Sequence, residues 1–86
     1  MEADSEREII VTVGAMEAAF LTLYSLVEPG DEVVIHAPYW INYSQVVRSL
    51  GAVPVFVYTR PEDGFQLQAD DLEAVLTKRT KVVVLN

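Results

Sequence analysis

Four β-branched runs alternate with stretches of helical period along this chain, and that alternation constrains the fold more than any other feature. Ile9-Ile10-Val11-Thr12-Val13 reads as a buried strand ending at Gly14. Residues 15–27 then switch period. Alanines, leucines and Phe20 dominate, Glu17, Ser25 and Glu28 recur at roughly helical spacing, and a mostly buried helix with a narrow polar face is predicted. Pro29-Gly30 stops it. Val33-Val34-Ile35 is a second strand, apolar on both faces, and residues 39–50 return to helical period before Gly51, placed as a C-terminal cap glycine. Residues 52–58 form a third strand. Pro54 lies inside it and cannot donate to a ladder, so this strand belongs at a sheet edge. A polar loop follows over 60–68, turning at Glu62-Asp63-Gly64. Asp70 and Glu73 have capping-box spacing and open a short helix to about Thr77, and residues 81–85 make a fourth strand. The predicted fold is α/β and three-layered. It has a mostly parallel sheet in β-α-β-α-β-α-β order, with right-handed crossovers.

The chain has 86 residues, enough for one folding unit. Residues 1–8 read as an acidic lead-in, and 9–86 as the folded part. Six basic against thirteen acidic residues give a net charge of −7, which supplies no basic stripe for nucleic acid and no attraction to an anionic membrane. There is no cysteine and one histidine, so thiolate and multi-histidine metal sites are excluded. No apolar run approaches the roughly 20 residues that span a bilayer, and no signal peptide pattern opens the chain. The expectation is a cytoplasmic α/β piece. It stops at Asn86, at a strand's carboxyl end where ligand loops of open sheets lie, as a fragment would.

Two places could carry chemistry. At Gly14-Ala15-Met16 a strand ends and a helix begins. The first helical amides have no partners and the dipole is positive there, so an anion such as a phosphate fits, though so does a plain strand-to-helix turn. Neither of the common glycine-rich phosphate motifs is present. At Pro38-Tyr39-Trp40, Trp40 falls off the apolar stripe of the helix that follows; it can stack on a planar ring or pack into a core or interface. His36 reads as a packed, hydrogen-bonded residue and Asp31-Glu32 as turn and strand-start residues. Ser25, Ser44 and Ser49 lack a His-Asp constellation, and Lys78, Arg79 and Lys81 form a charged rim.

Four segments, Ile10-Val11-Thr12-Val13-Gly14-Ala15-Met16-Glu17-Ala18, Glu28-Pro29-Gly30-Asp31-Glu32-Val33, Ala37-Pro38-Tyr39-Trp40-Ile41-Asn42-Tyr43 and Arg79-Thr80-Lys81-Val82-Val83-Val84-Leu85-Asn86, together resemble the class I/II aminotransferases in order and spacing. These are fold-type I enzymes dependent on pyridoxal 5'-phosphate, and the aspartate-aminotransferase-like branch is the nearest match. The resemblance covers residues 8–86. It implies that this is part of the large cofactor-binding domain, ending before an Asn-Pro-x-Gly motif. Gly14, Ala15 and Met16 would hold the cofactor phosphate, and Trp40 would stack on its pyridine ring. The resemblance also implies amino acid and 2-oxo acid substrates and a homodimer for the complete enzyme. The lysine that carries the cofactor, the aspartate facing the pyridine nitrogen and the arginine for the substrate carboxylate have no counterparts here. No catalytic residue is therefore assigned to this chain, and Asn86 inherits no role. The resemblance further implies that 33–36 pairs with both 53–57 and 81–85, leaving 9–13 isolated. Neighbour-pairing alone would instead join 9–13 to 33–36. The alternatives are a non-enzymatic interaction or regulatory module of the same fold, or part of another fold-type I enzyme such as a lyase or decarboxylase.

Overall fold

Val33, Val34 and Ile35 are completely buried, and the rest of the molecule is arranged around the strand that contains them. A computed structural model describes residues 1–86. The elements are α1 (Gly14–Leu26), β1 (Glu32–Ala37), α2 (Asn42–Ser49), β2 (Val53–Tyr58), a 3-10 turn at Pro61–Asp63, α3 (Ala69–Glu73) and β3 (Thr80–Val84). All pairing is parallel and the sheet order is β2-β1-β3. β1 is thus the central strand, which is why its side chains are apolar on both faces. The expected pairings of 33–36 with 53–57 and with 81–85 are both present. β2 lies at the edge, so Pro54 can sit opposite Val33.

The two faces of β1 have different covers. Val33 and Ile35 pack with Leu23 and Val27 of the α1 end, Val46 and Val47 of α2, and Ala52. On the alternate positions, Glu32 accepts a hydrogen bond from Thr77 Oγ1 at 2.7 Å, and His36 Nε2 lies 3.1 Å from the Phe65 carbonyl oxygen. The connection between β2 and β3 therefore covers this second face, completing the three layers.

Four expectations need correction. Residues 9–13 do not form a strand; they are irregular and exposed, with Val11 94% exposed. A strand needs a hydrogen-bonded neighbour, and this segment pairs with no strand of the sheet. The strand order accordingly starts at β1. The radius of gyration, 14.0 Å, exceeds the roughly 12 Å of a compact chain of this length for the same reason. Second, α1 is largely exposed: only Leu23 within it is buried, because its remaining apolar side chains have no layer to meet. Third, the capping box at Asp70 does not form. Gln68 is the N-cap of α3, Asp70 lies inside the helix, and Asp71 turns to Arg60 at 3.4 Å. α2 also starts three residues later than its periodicity suggests, since Tyr39 stacks on Phe56 of β2 with centroids 5.0 Å apart.

Gly51 is the cap predicted for α2, at φ +74°. Its amide donates to the Arg48 carbonyl and its carbonyl accepts from Gly30. A Cβ built there would stand 3.2 Å from Pro29 Cβ, whereas one at Gly30, also at positive φ, meets nothing within 4 Å. Gly51→Ala should cost about 1–3 kcal/mol of stability and more than Gly30→Ala, because crowding against a rigid ring adds to the backbone strain. Urea unfolding of the two variants checks the order.

Candidate functional site

In a parallel sheet the carboxyl ends of all strands lie on one side, and both sequence-predicted positions lie there. α1 starts at Gly14, whose φ of +80° makes the turn that a side chain would oppose. The Gly14 amide is used by the Thr12 carbonyl at 2.9 Å, and the Val13 amide by the Glu17 carboxylate, which folds back over the helix start. The amides of Ala15 and Met16 have no acceptor. A Cβ at Gly14 would meet nothing within 4 Å, so the approach is open. Two free amides at the positive end of a 13-residue helix form a donor set suited to a phosphate. The Glu17 carboxylate already occupies the neighbouring amide in the way an anion would.

Trp40 follows β1 across Pro38 and Tyr39 and is 42% exposed, with its ring edge-on to Tyr43 at 5.5 Å. Tyr43 and Ala15 line one groove of about 340 Å³, together with Val84 at the carboxyl end of β3. The start of α1 and the Trp40–Tyr43 pair thus flank the same end of the sheet.

Several residues that position Trp40 escaped the sequence reading. Thr59 binds the Ala37 carbonyl twice, through its amide at 2.9 Å and its hydroxyl at 2.8 Å, and so fixes the end of β1 immediately before Pro38. The Tyr39–Phe56 stack anchors the next residue. By sequence alone Glu17 belongs only to the polar face of α1. Its spacing of four residues from Val13 is the one signal that could have placed its carboxylate at the helix start.

The remaining candidates are structural. His36 is half-buried on the Phe65 carbonyl, and the hydroxyls of Ser25, Ser44 and Ser49 each donate to a carbonyl three residues earlier. Asp31 accepts from the Glu28 amide in the turn before β1. Arg60 is held charged above its ordinary range, chiefly by its hydrogen bond to Asp63 and then by the charge of Asp71. Lys78 and Lys81 stand at the amino end of β3, opposite the end where α1 and Trp40 meet.

Comparison with known proteins places the chain in a family. The family described as aminotransferase class I and II matches residues 1–86. A probable aspartate/prephenate aminotransferase of Thermus aquaticus is 46% identical over 79 residues, which is 92% of this chain and 21% of that protein. Among solved structures, the aspartate aminotransferase from Thermus thermophilus with maleate superposes at a TM-score of 0.86, with 42% identity over 88% of this chain and 20% of that one. The aromatic aminotransferase from Pyrococcus horikoshii reaches 0.91, with 36% identity over 95% of this chain and 22% of that one. The chain thus spans about a fifth of the length of the relatives it matches. No helix in it is long and apolar enough to cross a membrane.

Proposed function

Because the chain belongs to the aminotransferase class I and II family, we propose that it forms the cofactor-docking part of a pyridoxal 5'-phosphate-dependent transaminase. Such an enzyme exchanges an amino group between an amino acid and a 2-oxo acid. The observation that supports this reading is that Ala15, at the start of α1 with its amide free, lines one groove with Tyr43, the residue on which Trp40 packs. When bound, the cofactor supplies the electron sink for the exchange.

The residues of this chain have three tasks. The Ala15 and Met16 amides, with the open turn at Gly14, would hold the phosphate, and the α1 dipole would favour its charge. Trp40 would stack on the ring, its own ring packed edge-on against Tyr43 and its backbone anchored by Thr59 and Tyr39. The groove walls of Ala15, Tyr43 and Val84 would border the site on its apolar side. None of these groups moves a proton, and Lys78 and Lys81 stand at the wrong end of the sheet for it. Catalysis therefore belongs to other residues of the complete enzyme, in which we place this segment as part of a cytoplasmic homodimer.

Trp40 is the only tryptophan, so its fluorescence reports on one place. Pyridoxine 5'-phosphate lacks the aldehyde that would label surface lysines. It should quench Trp40 saturably and bind at least about tenfold more tightly than pyridoxine, equivalent to about 1.4 kcal/mol for the phosphate. Equal quenching by the two compounds would remove the phosphate site. The 86-residue chain with added pyridoxal 5'-phosphate should transfer no amino group from aspartate to 2-oxoglutarate beyond the cofactor alone; measurable turnover would contradict the division of tasks.

A further inference from the structure

The chain leaves β1 for Trp40 through the Ala37 carbonyl, and that oxygen is held more firmly than the end of a strand requires. Ala37 is buried. The Thr59 amide donates to its oxygen at 2.9 Å, as the last rung between β2 and β1, and the Thr59 hydroxyl donates to the same oxygen at 2.8 Å. A carbonyl has two lone pairs, and here both are used. The rung alone would complete the ladder; Ala37 is the one residue of β1 whose carbonyl also takes a side-chain donor. The residues beyond Thr59 are fastened separately. The Arg60 carbonyl accepts from the Phe65 amide at 3.0 Å, and His36 Nε2 lies 3.1 Å from the Phe65 carbonyl oxygen. The 59–65 turn is therefore tied to β1 at two successive residues, and it does not depend on the hydroxyl to stay seated.

What the hydroxyl adds is orientation. The Ala37 oxygen lies in the plane of the peptide that joins Ala37 to Pro38. Two donors on that oxygen fix the plane, and the proline ring fixes the next backbone angle. Tyr39 is held by its stack on Phe56. From the other side, the Trp40 carbonyl accepts from the Tyr43 amide at 3.0 Å, and its ring meets Tyr43 edge-on. Trp40 stands three residues beyond Ala37, a lever of at most about 10 Å, over which a tilt of about 10° moves the indole by about 2 Å. A gap of about 0.5–1 Å already forfeits a quarter to a half of a dispersion contact. A ring contact is thus lost by a movement that leaves the fold intact.

We propose that Thr59 is a positioning residue for Trp40, its hydroxyl setting the Ala37–Pro38 peptide plane so that the indole presents its face to a planar ring. Thr59 acts through the backbone and not by contact with that ring. Every contact involved joins β1, β2 and the segments that directly follow them. The purpose of the placement rests on the cofactor reading, whereas the placement itself is a property of the free chain.

Time-resolved fluorescence anisotropy of Trp40, the only tryptophan, tests it, with far-UV circular dichroism to confirm folding. Thr59→Val keeps the shape and the amide rung and loses the hydroxyl; Thr59→Ala loses the hydroxyl without adding a methyl. In both, the amplitude of the fast, nanosecond part of the Trp40 decay should rise about twofold or more. Pyridoxine 5'-phosphate should bind them about three- to tenfold more weakly. Inorganic phosphate, measured as a competitor, should keep its affinity, because it needs only the Ala15 and Met16 amides. Thr59→Ser retains the hydroxyl and should match the wild type throughout. Gly51→Ala, destabilised before the amino end of β2 and so away from Trp40, should leave the anisotropy unchanged. The proposal is overturned by wild-type anisotropy in Thr59→Val and Thr59→Ala, by failure of both to fold, by Thr59→Ser loosening Trp40 as much as they do, or by equal loosening in Gly51→Ala. A wild-type chain that binds no pyridoxine 5'-phosphate overturns the cofactor reading instead, and the anisotropy then decides the role of Thr59 by itself.

Discussion

Ile35→Ala should abolish cooperative folding of the isolated chain. Ile35 is fully buried at the middle of β1, opposite Phe56 on one side and Val84 on the other. It belongs to the cluster in which α1, α2 and the sheet meet. Removing three carbons from such a site costs about 2–5 kcal/mol, the higher figures applying where neighbours cannot close on the void. Here β1 is pinned between two strands and cannot move toward the helices. A domain of this size has only about 5 kcal/mol or a little more to lose, and only 12 of its 86 residues are buried. The expected outcome is a chain that in water shows a broad, shallow thermal transition or none. Val53→Ala, on the exposed start of β2, should change the midpoint little. A sharp transition for Ile35→Ala within 1 kcal/mol of the wild type would mean that the cluster around β1 is not what holds the layers together.

The legible parts of the fold were those whose signals are local. Pro54 announced an edge because a missing donor matters wherever it sits in a ladder, and Gly51 announced a cap because its positive φ excludes other residues. The apolar run Val33-Val34-Ile35 announced a central strand because only a strand covered on both faces tolerates it. Residues 9–13 carry the same kind of signal as β1, yet they form no strand. Composition specifies what a segment can pair with, while pairing depends on whether the partner is present. The alanine-rich pattern of α1 likewise predicted burial, which needs a covering layer that this chain does not supply. At the candidate site, Gly14 and Trp40 were legible from punctuation and composition. Thr59 and the Tyr39–Phe56 stack were not, because they join positions about 20 residues apart that only the sheet brings together. The Asp70 box does not form because α3 begins one residue before Asp70, with Gln68 as its N-cap, which leaves Asp70 inside the helix.

Glu32 was read from sequence as a residue of the strand start, and its burial makes a more demanding prediction. The residue is 6% exposed, and its carboxylate is held by the Thr77 hydroxyl at 2.7 Å and by Arg79 Nη2 at 3.1 Å. The two partners of the ion pair are unequally placed, since the arginine is mostly in solvent. Removing the arginine leaves an anion buried with one hydroxyl for company. Removing the anion leaves a cation that water already solvates. Breaking a buried pair is costly through the charge it strands, so the two deletions should differ. Arg79→Ala is expected to cost about 2–3 kcal/mol. Glu32→Gln, which keeps the shape and can still accept from Thr77, should cost about 1 kcal/mol or less. The double variant should be more stable than Arg79→Ala alone, because the stranded charge is gone. Denaturant unfolding of the three variants measures this as a coupling energy. Equal losses for the two single variants, adding without coupling, would mean that Glu32 is solvated from another side and that the connection carrying Thr77 and Arg79 is fastened to β1 by its backbone alone, through the Glu32 amide and the Arg79 carbonyl 2.8 Å away.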